Sequence, residues 1–129
     1  MYTIYTDGAY SSSRKKGGCA FIILNDNNEI VAEYSKYFYK CTSNQMEMMA
    51  CIIALESVSE PSEILIYSDS MYVVGTYTLN WRRKANQHIW QRFDKAIAKH
   101  KKVDFKHVKG HESNEYNNRC DELAVLATQ

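Results

Sequence analysis

Four acids and one histidine are the residues whose types and settings could do chemistry: Asp7, Glu47, Asp69, Asp121 and His111. Asp7 and Asp69 each stand at the C-terminal end of an apolar run that reads as a strand. In open α/β sheets that edge is where ligands sit. If the two strands are parallel neighbours, the carboxylates lie side by side. Taken singly, either Asp could also be an ordinary turn or helix-start residue. Glu47 shares a helical face with Ala50, Cys51, Ala54 and Val58. That stripe is small and apolar and should face the sheet, where a lone charge costs several kcal/mol. The alternative is a first-turn acid serving a helix N-terminus. Asp121 shares its face with Ala124 and Val125, or is solvated beside Glu122. His111 follows Gly110 in a loop, a common setting for a plain surface histidine.

Together the four acids suggest more. Clustered carboxylates repel one another and hold their protons unless cations neutralise them. Oxygen-rich sites suit Mg²⁺, and Mn²⁺ also fits. Two such ions, about 3.5–4 Å apart, can clamp the attacking and leaving oxygens of a phosphodiester.

The elements that must position these groups are legible in outline. Residues 1–7 read as a strand, Cys19–Leu24 as a second and Ile30–Tyr39 as a third. The short connections, one of them Asn25-Asp26-Asn27-Asn28, make the three antiparallel neighbours. Thr42-Ser43 can cap a helix to about Val58, with Asn44 and Glu47 at capping-box spacing. Ile64–Tyr67 is a short strand. Ser70 can cap a helix through about Trp81, and another helix runs from about Gln87 to His100. Val103–Val108 is a fifth strand, and a last helix covers roughly Asn117–Ala127. The order βββαβααβα predicts an α/β fold with a five-stranded mixed sheet, three antiparallel strands then two parallel, flanked by helices.

Length and composition bound the rest. A chain of 129 residues, 45% hydrophobic and 24% charged, suits one domain over 1–129 with a real core. No apolar run is long enough to cross a bilayer, and the N-terminus lacks the form of a signal peptide. Cys19, Cys41, Cys51 and Cys120 form no CxxC pair and read as reduced thiols in a cytoplasmic protein. Net charge is only +1. Its distribution is more informative, with basic clusters at Arg14-Lys15-Lys16, Arg82-Arg83-Lys84 and Lys99 to Lys102.

Six stretches carry a resemblance: YTDGA at 5–9, TSNQMEMMA at 42–50, YSDSMYV at 67–73, NW at 80–81, IWQRFDKAI at 89–97 and VKGHESNEYNNRCDELA at 108–124. In this order they resemble the type 1 ribonuclease H family over essentially the whole length. The resemblance implies the ribonuclease H-like fold and a metal-dependent endonuclease. Such an enzyme cuts the RNA strand of RNA–DNA hybrids with two divalent ions, leaving 5′-phosphate and 3′-hydroxyl ends. It implies that Asp7, Glu47, Asp69 and Asp121 hold the metals, with Asp7 bridging both. His111, ten residues before Asp121, would aid product release or proton shuttling. Gly8, Ser43, Asn44 and Gln45 would contact RNA 2′-hydroxyls, the group that separates RNA from DNA. Gly8 has no side chain to keep the RNA backbone away. Lys40, Thr42 and Asn86 would form a phosphate pocket for the DNA strand. Trp81 would pack along the DNA channel, or close a helix end.

Departures from the family pattern accompany the match. Ser43 stands where Asn is usual, and Lys40 where Arg is frequent. The first hairpin turn is Ser11-Ser12-Ser13-Arg14-Lys15-Lys16 rather than Gly/Pro-rich. Trp81 to Trp90 is too short for the basic handle of some members. The short form predicts weaker hybrid affinity than in handle-bearing members, partly offset by Arg14, Lys15 and Lys16. A monomer is expected, with no hybrid-binding domain ahead of Met1. Two other classes compete. One is a hybrid binder without chemistry, which would not need mutually repelling acids. The other is the DNA-acting transposase, integrase and resolvase branch of the fold, from which SNQMEMMA and VKGH point away.

Overall fold

The alternating run that begins at Tyr2 seeds the centre of the sheet. In the computed structural model, which describes residues 1–109 and 114–129, it forms β1 (Tyr2–Ser11). It is followed by β2 (Lys16–Leu24), β3 (Ile30–Tyr39), α1 (Ser43–Ser57), β4 (Glu63–Ser68), α2 (Met71–Thr78), α3 (Gln87–Ala98), β5 (Lys102–His107) and α4 (Glu115–Ala127). The sheet order is β3-β2-β1-β4-β5. The first three strands pair antiparallel, whereas β1–β4 and β4–β5 are parallel. The expected mixed sheet is therefore present.

Local differences have physical causes. β1 does not stop at Asp7. It continues to Ser11 because residues 7–11 pair with β2, from Asp7 opposite Ala20 to Ser11 opposite Lys16. Its parallel pairing with β4 ends at Tyr5 opposite Tyr67. Asp7 thus lies just beyond the point where β1 loses one neighbour and keeps the other. The capping box of α1 is Thr42 with Gln45, not Asn44 with Glu47. The Gln45 N–H donates to Thr42 Oγ1 at 3.1 Å, and the Thr42 N–H donates to Gln45 Oε1 at 3.0 Å. α2 ends at Thr78 rather than Trp81. Asn80 takes φ 57°, and the chain turns back so that the Trp81 N–H donates to Gly75 O at 3.3 Å. α4 starts two residues earlier than Asn117, because the Asn114 side chain accepts from the N–H groups of Tyr116 and Asn117.

The two faces of the sheet are covered differently. α1 packs on β1 and β2 and against α3. Being enclosed by both, it buries Met46, Met48, Met49, Ala50, Cys51, Ile52, Ala54 and Leu55, a helix apolar on nearly all sides. α3 is amphipathic and turns Trp90, Phe93 and Ala96 inward. α4 covers the opposite face, where Tyr5, Ile22, Leu24 and Cys120 form a second cluster. All four cysteines are free, three of them buried. No helix among the described residues is long and apolar enough to cross a membrane.

Candidate metal centre

Three elements deliver three carboxylates to one place. Asp7 comes from β1, Glu47 from the second turn of α1, and Asp69 from the junction between β4 and α2. One carboxylate oxygen of each lies within 4.8 Å of the others. Asp7 is only 4% exposed; Glu47 and Asp69 are half-buried. Glu47 does not serve as a first-turn acid, since none occupies the first turn of α1. It is the polar interruption of a buried stripe.

Gly8 is what allows this approach. A Cβ there would lie 2.5 Å from the Glu47 N and 2.6 Å from the Met46 carbonyl carbon, both backbone atoms. The missing side chain lets α1 dock onto β1 with Glu47 beside Asp7. The Gly8 N–H also donates to Asp7 Oδ1 at 2.9 Å. The bare position therefore has a reason inside the fold, apart from any approach of RNA.

Burial and neighbouring carboxylates set the electrostatics of the cluster. Burial pushes the Asp7 carboxyl up to about 8, helped by the charge of Asp69 and by the hydrogen bond and charge of Asp121. The Gly8 N–H opposes the shift. Burial also raises Glu47 well above its ordinary value, followed by the charges of Asp7 and Asp69. Glu47 Oε1 and Asp69 Oδ1 are buried and, among the described residues, have no hydrogen-bond partner. Carboxylate oxygens sealed from water are normally hydrogen-bonded; two orphans facing one cluster fit a hard divalent cation. Asp121, half-buried on α4, stands against Asp7 rather than inside the tight group of three. His111 lies outside the described residues.

The other predicted residues lie around the start of α1. Thr42 is its N-cap, and Ser43, Asn44 and Gln45 form its first turn. Both ends of the Gln45 side chain are engaged: Oε1 with the Thr42 N–H, and Nε2 donating to Asn86 Oδ1 at 3.1 Å. Asn86 sits at φ 63° before α3, and Lys40, exposed, at φ 54°. Trp81 lays its ring on α2. A Cβ at Gly75 would meet Trp81 Cε3 at 2.3 Å, and the ring remains 45% exposed. Trp81 thus packs against α2 at Gly75 while staying exposed.

Sequence reading missed two neighbours of the site. His107, at the end of β5, holds the Asp69 carbonyl with Nε2 at 3.1 Å. Its signal was its place at the same sheet edge as Asp69. Tyr72 accepts from Asn86 Nδ2 at 2.9 Å, a contact across fourteen residues with no local signal.

Fold and site together define an α/β protein centred on a carboxylate cluster that could hold a metal ion. Its family follows from comparison: the model of the RNase H family matches residues 1–129, and the chain belongs to that family. It is 42% identical to a ribonuclease H of Chlorobaculum parvum, over 97% of this chain and 93% of the relative. It is 38% identical to a ribonuclease HI of Synechocystis, over 98% and 87% respectively. Among solved structures, LC11-RNase H1 in complex with an RNA/DNA hybrid superposes with TM-score 0.87 at 23% identity, covering 99% of this chain and 96% of that one. RNase H1 of the halophilic archaeon Halobacterium salinarum superposes with TM-score 0.85 at 24% identity, covering 98% and 96%. At such identities the two structures speak for the fold alone.

Proposed function

We propose that this chain hydrolyses the RNA strand of RNA–DNA hybrids by two-metal catalysis, leaving 5′-phosphate and 3′-hydroxyl ends. The observation that carries the reading is the carboxylate trio with its two orphaned buried oxygens, in a chain of the ribonuclease H family. The choice of substrate rests on the ribonuclease H relatives at 42% and 38% identity; LC11-RNase H1, of the same fold, was solved in complex with an RNA/DNA hybrid.

Asp7, Glu47, Asp69 and Asp121 would hold two Mg²⁺ ions, or Mn²⁺ in their place. Two ions held there would supply activation of a water for attack and stabilisation of the departing 3′-oxygen. The chain's own residues do the rest. The Gly8 N–H fixes the Asp7 carboxylate, and His107 steadies the backbone that carries Asp69. Gly8, Ser43, Asn44 and Gln45 line the RNA side at the start of α1, where 2′-hydroxyl contacts would select RNA. Thr42, Asn86 and Lys40 take a phosphate of the DNA strand, and the exposed Trp81 packs along that strand. His111 assists proton transfer or product release. The chain acts as a monomer.

Glu47→Gln and Asp69→Asn test the reading. Each should abolish Mg²⁺-dependent cutting of a hybrid while leaving its circular dichroism spectrum unchanged. Substantial activity in either variant would remove that residue from the metal set.

A further inference from the structure

We infer that Gln45 and Tyr72 are positioning residues that orient the Asn86 side-chain amide, so that the notch between α1 and α3 offers only donors to a DNA-strand phosphate. The inference rests on the hybrid-cleavage reading and adds two residues to it. It also gives the Gln45 side chain a different task from touching RNA.

The direction of the chain of hydrogen bonds follows from one group that can only donate. The Thr42 backbone N–H donates to Gln45 Oε1 at 3.0 Å, which fixes which end of the Gln45 amide is oxygen. Gln45 Nε2 then faces Asn86, donating to Oδ1 at 3.1 Å. Asn86 must therefore point Nδ2 at Tyr72, where it donates to the hydroxyl at 2.9 Å. One Nδ2 hydrogen remains for a ligand. Thr42 Oγ1 accepts from the Gln45 N–H, and its own hydrogen is free for a ligand as well. Lys40, two residues before Thr42, adds an exposed ammonium.

The backbone is shaped to allow this. Asn86 adopts φ 63° and makes no capping bond to α3, so its side chain is free to bridge. Asn is among the few residues that visit that region readily. A Thr hydroxyl, an amide N–H and a Lys ammonium form a set of donors suited to a phosphate oxygen. Were the Asn86 amide turned over, an oxygen would face the phosphate instead. Tyr72 packs its ring against Trp90, with centroids 5.4 Å apart, which holds the hydroxyl in place.

Two variants isolate the relay. Glu is accepted in a capping box, so Gln45→Glu keeps the bond from Thr42 but sets a carboxylate oxygen against Asn86 Oδ1. Tyr72→Phe removes only the hydroxyl. Binding of a fluorescent RNA–DNA hybrid is measured by anisotropy in an Asp69→Asn background, and KM and kcat in the active enzyme. Gln45→Glu should weaken binding about tenfold and raise KM alike, and Tyr72→Phe about threefold, with kcat unchanged. In an Asn86→Gly background, which keeps the backbone conformation, the Gln45→Glu penalty should fall to about twofold or less. An equal penalty there would assign the effect to charge repulsion alone and overturn the relay. So would wild-type binding by both variants, or a loss in kcat at constant KM. If the unaltered enzyme fails to cut RNA in the hybrid, the function reading itself falls; if it cuts and the variants bind normally, only this inference does.

Discussion

Neutralising Asp7 should make the metal-free protein more stable. In the fold its carboxyl ionises at about 8, against an ordinary value of 3.8. Between those limits the native state keeps a proton that the unfolded chain has released, so this group's contribution to stability falls as pH rises through that window and is lost above about 8. At 1.36 kcal/mol per pH unit, the loss by pH 7 reaches ~4 kcal/mol. Burial is the largest cause of the shift, ahead of the charges of Asp69 and Asp121; an Asn amide must be buried there too, so the substitution recovers part of that loss, ~2 kcal/mol. Asp7→Asn keeps the oxygen that accepts from the Gly8 N–H and removes the charge. In EDTA at neutral pH its Tm should rise by ~6–10 °C for a chain of this size. Near pH 4 the unfolded chain's Asp7 also takes up its proton, so the gap should close. Millimolar Mg²⁺ should then stabilise the wild type and leave the variant nearly unmoved, because only a native state that binds the ion gains by mass action. Scanning calorimetry with and without the metal measures all three. A variant no more stable than wild type in EDTA at pH 7 would refute the upward shift of the Asp7 carboxyl in this cluster.

The same site predicts how other perturbations behave. Protons compete with the metal at Asp7, so apparent Mg²⁺ affinity should rise with pH up to about 8 and level above it; calorimetric titrations showing no dependence between pH 6 and 8 would contradict this. Gly8→Ala sets a Cβ against the backbone of Met46 and Glu47, and should cost ~2–3 kcal/mol in urea unfolding and weaken Mg²⁺ binding as α1 is displaced. An unchanged midpoint would mean the α1 docking is looser than its geometry. Replacing Arg14, Lys15 and Lys16 with Ala should weaken hybrid binding and flatten its salt dependence. Lys16 already donates to the Gln129 carbonyl at 2.9 Å and lies over the Tyr37 ring, so Arg14 and Lys15 should account for most of a slope change of ~2. No change in slope would remove the turn from the binding surface.

What the sequence disclosed follows the range of each interaction. Glu47 was legible because a charge interrupts a buried helical stripe, and Asp7 and Asp69 because an acid closes an apolar run. The extension of β1 was hidden, since residues 8–11 carry no strong pattern of their own and are held by β2. The capping box at Thr42 was ambiguous because Thr42, Ser43 and Asn44 are all competent caps. Only packing of the first turn against Gly8 and Asn86 decides among them. The stop of α2 depends on Asn80 turning back and Trp81 finding Gly75. The Gln45–Asn86–Tyr72 relay joins three elements, and no spacing along the chain announces it. Gly8 illustrates the gap best. Its lack of a side chain was visible, but the atoms that need the space belong to α1.

The most direct measurement is a strand-resolved cleavage assay. An RNA–DNA hybrid with a different label on each strand is incubated with the purified protein, with and without Mg²⁺, beside matched DNA and RNA duplexes. The account predicts that only the RNA strand of the hybrid is cut, only with the metal, giving 5′-phosphate and 3′-hydroxyl ends, and not by Asp7→Asn. Cutting of the DNA strand, or of neither strand at any Mg²⁺ or Mn²⁺ concentration, would contradict it.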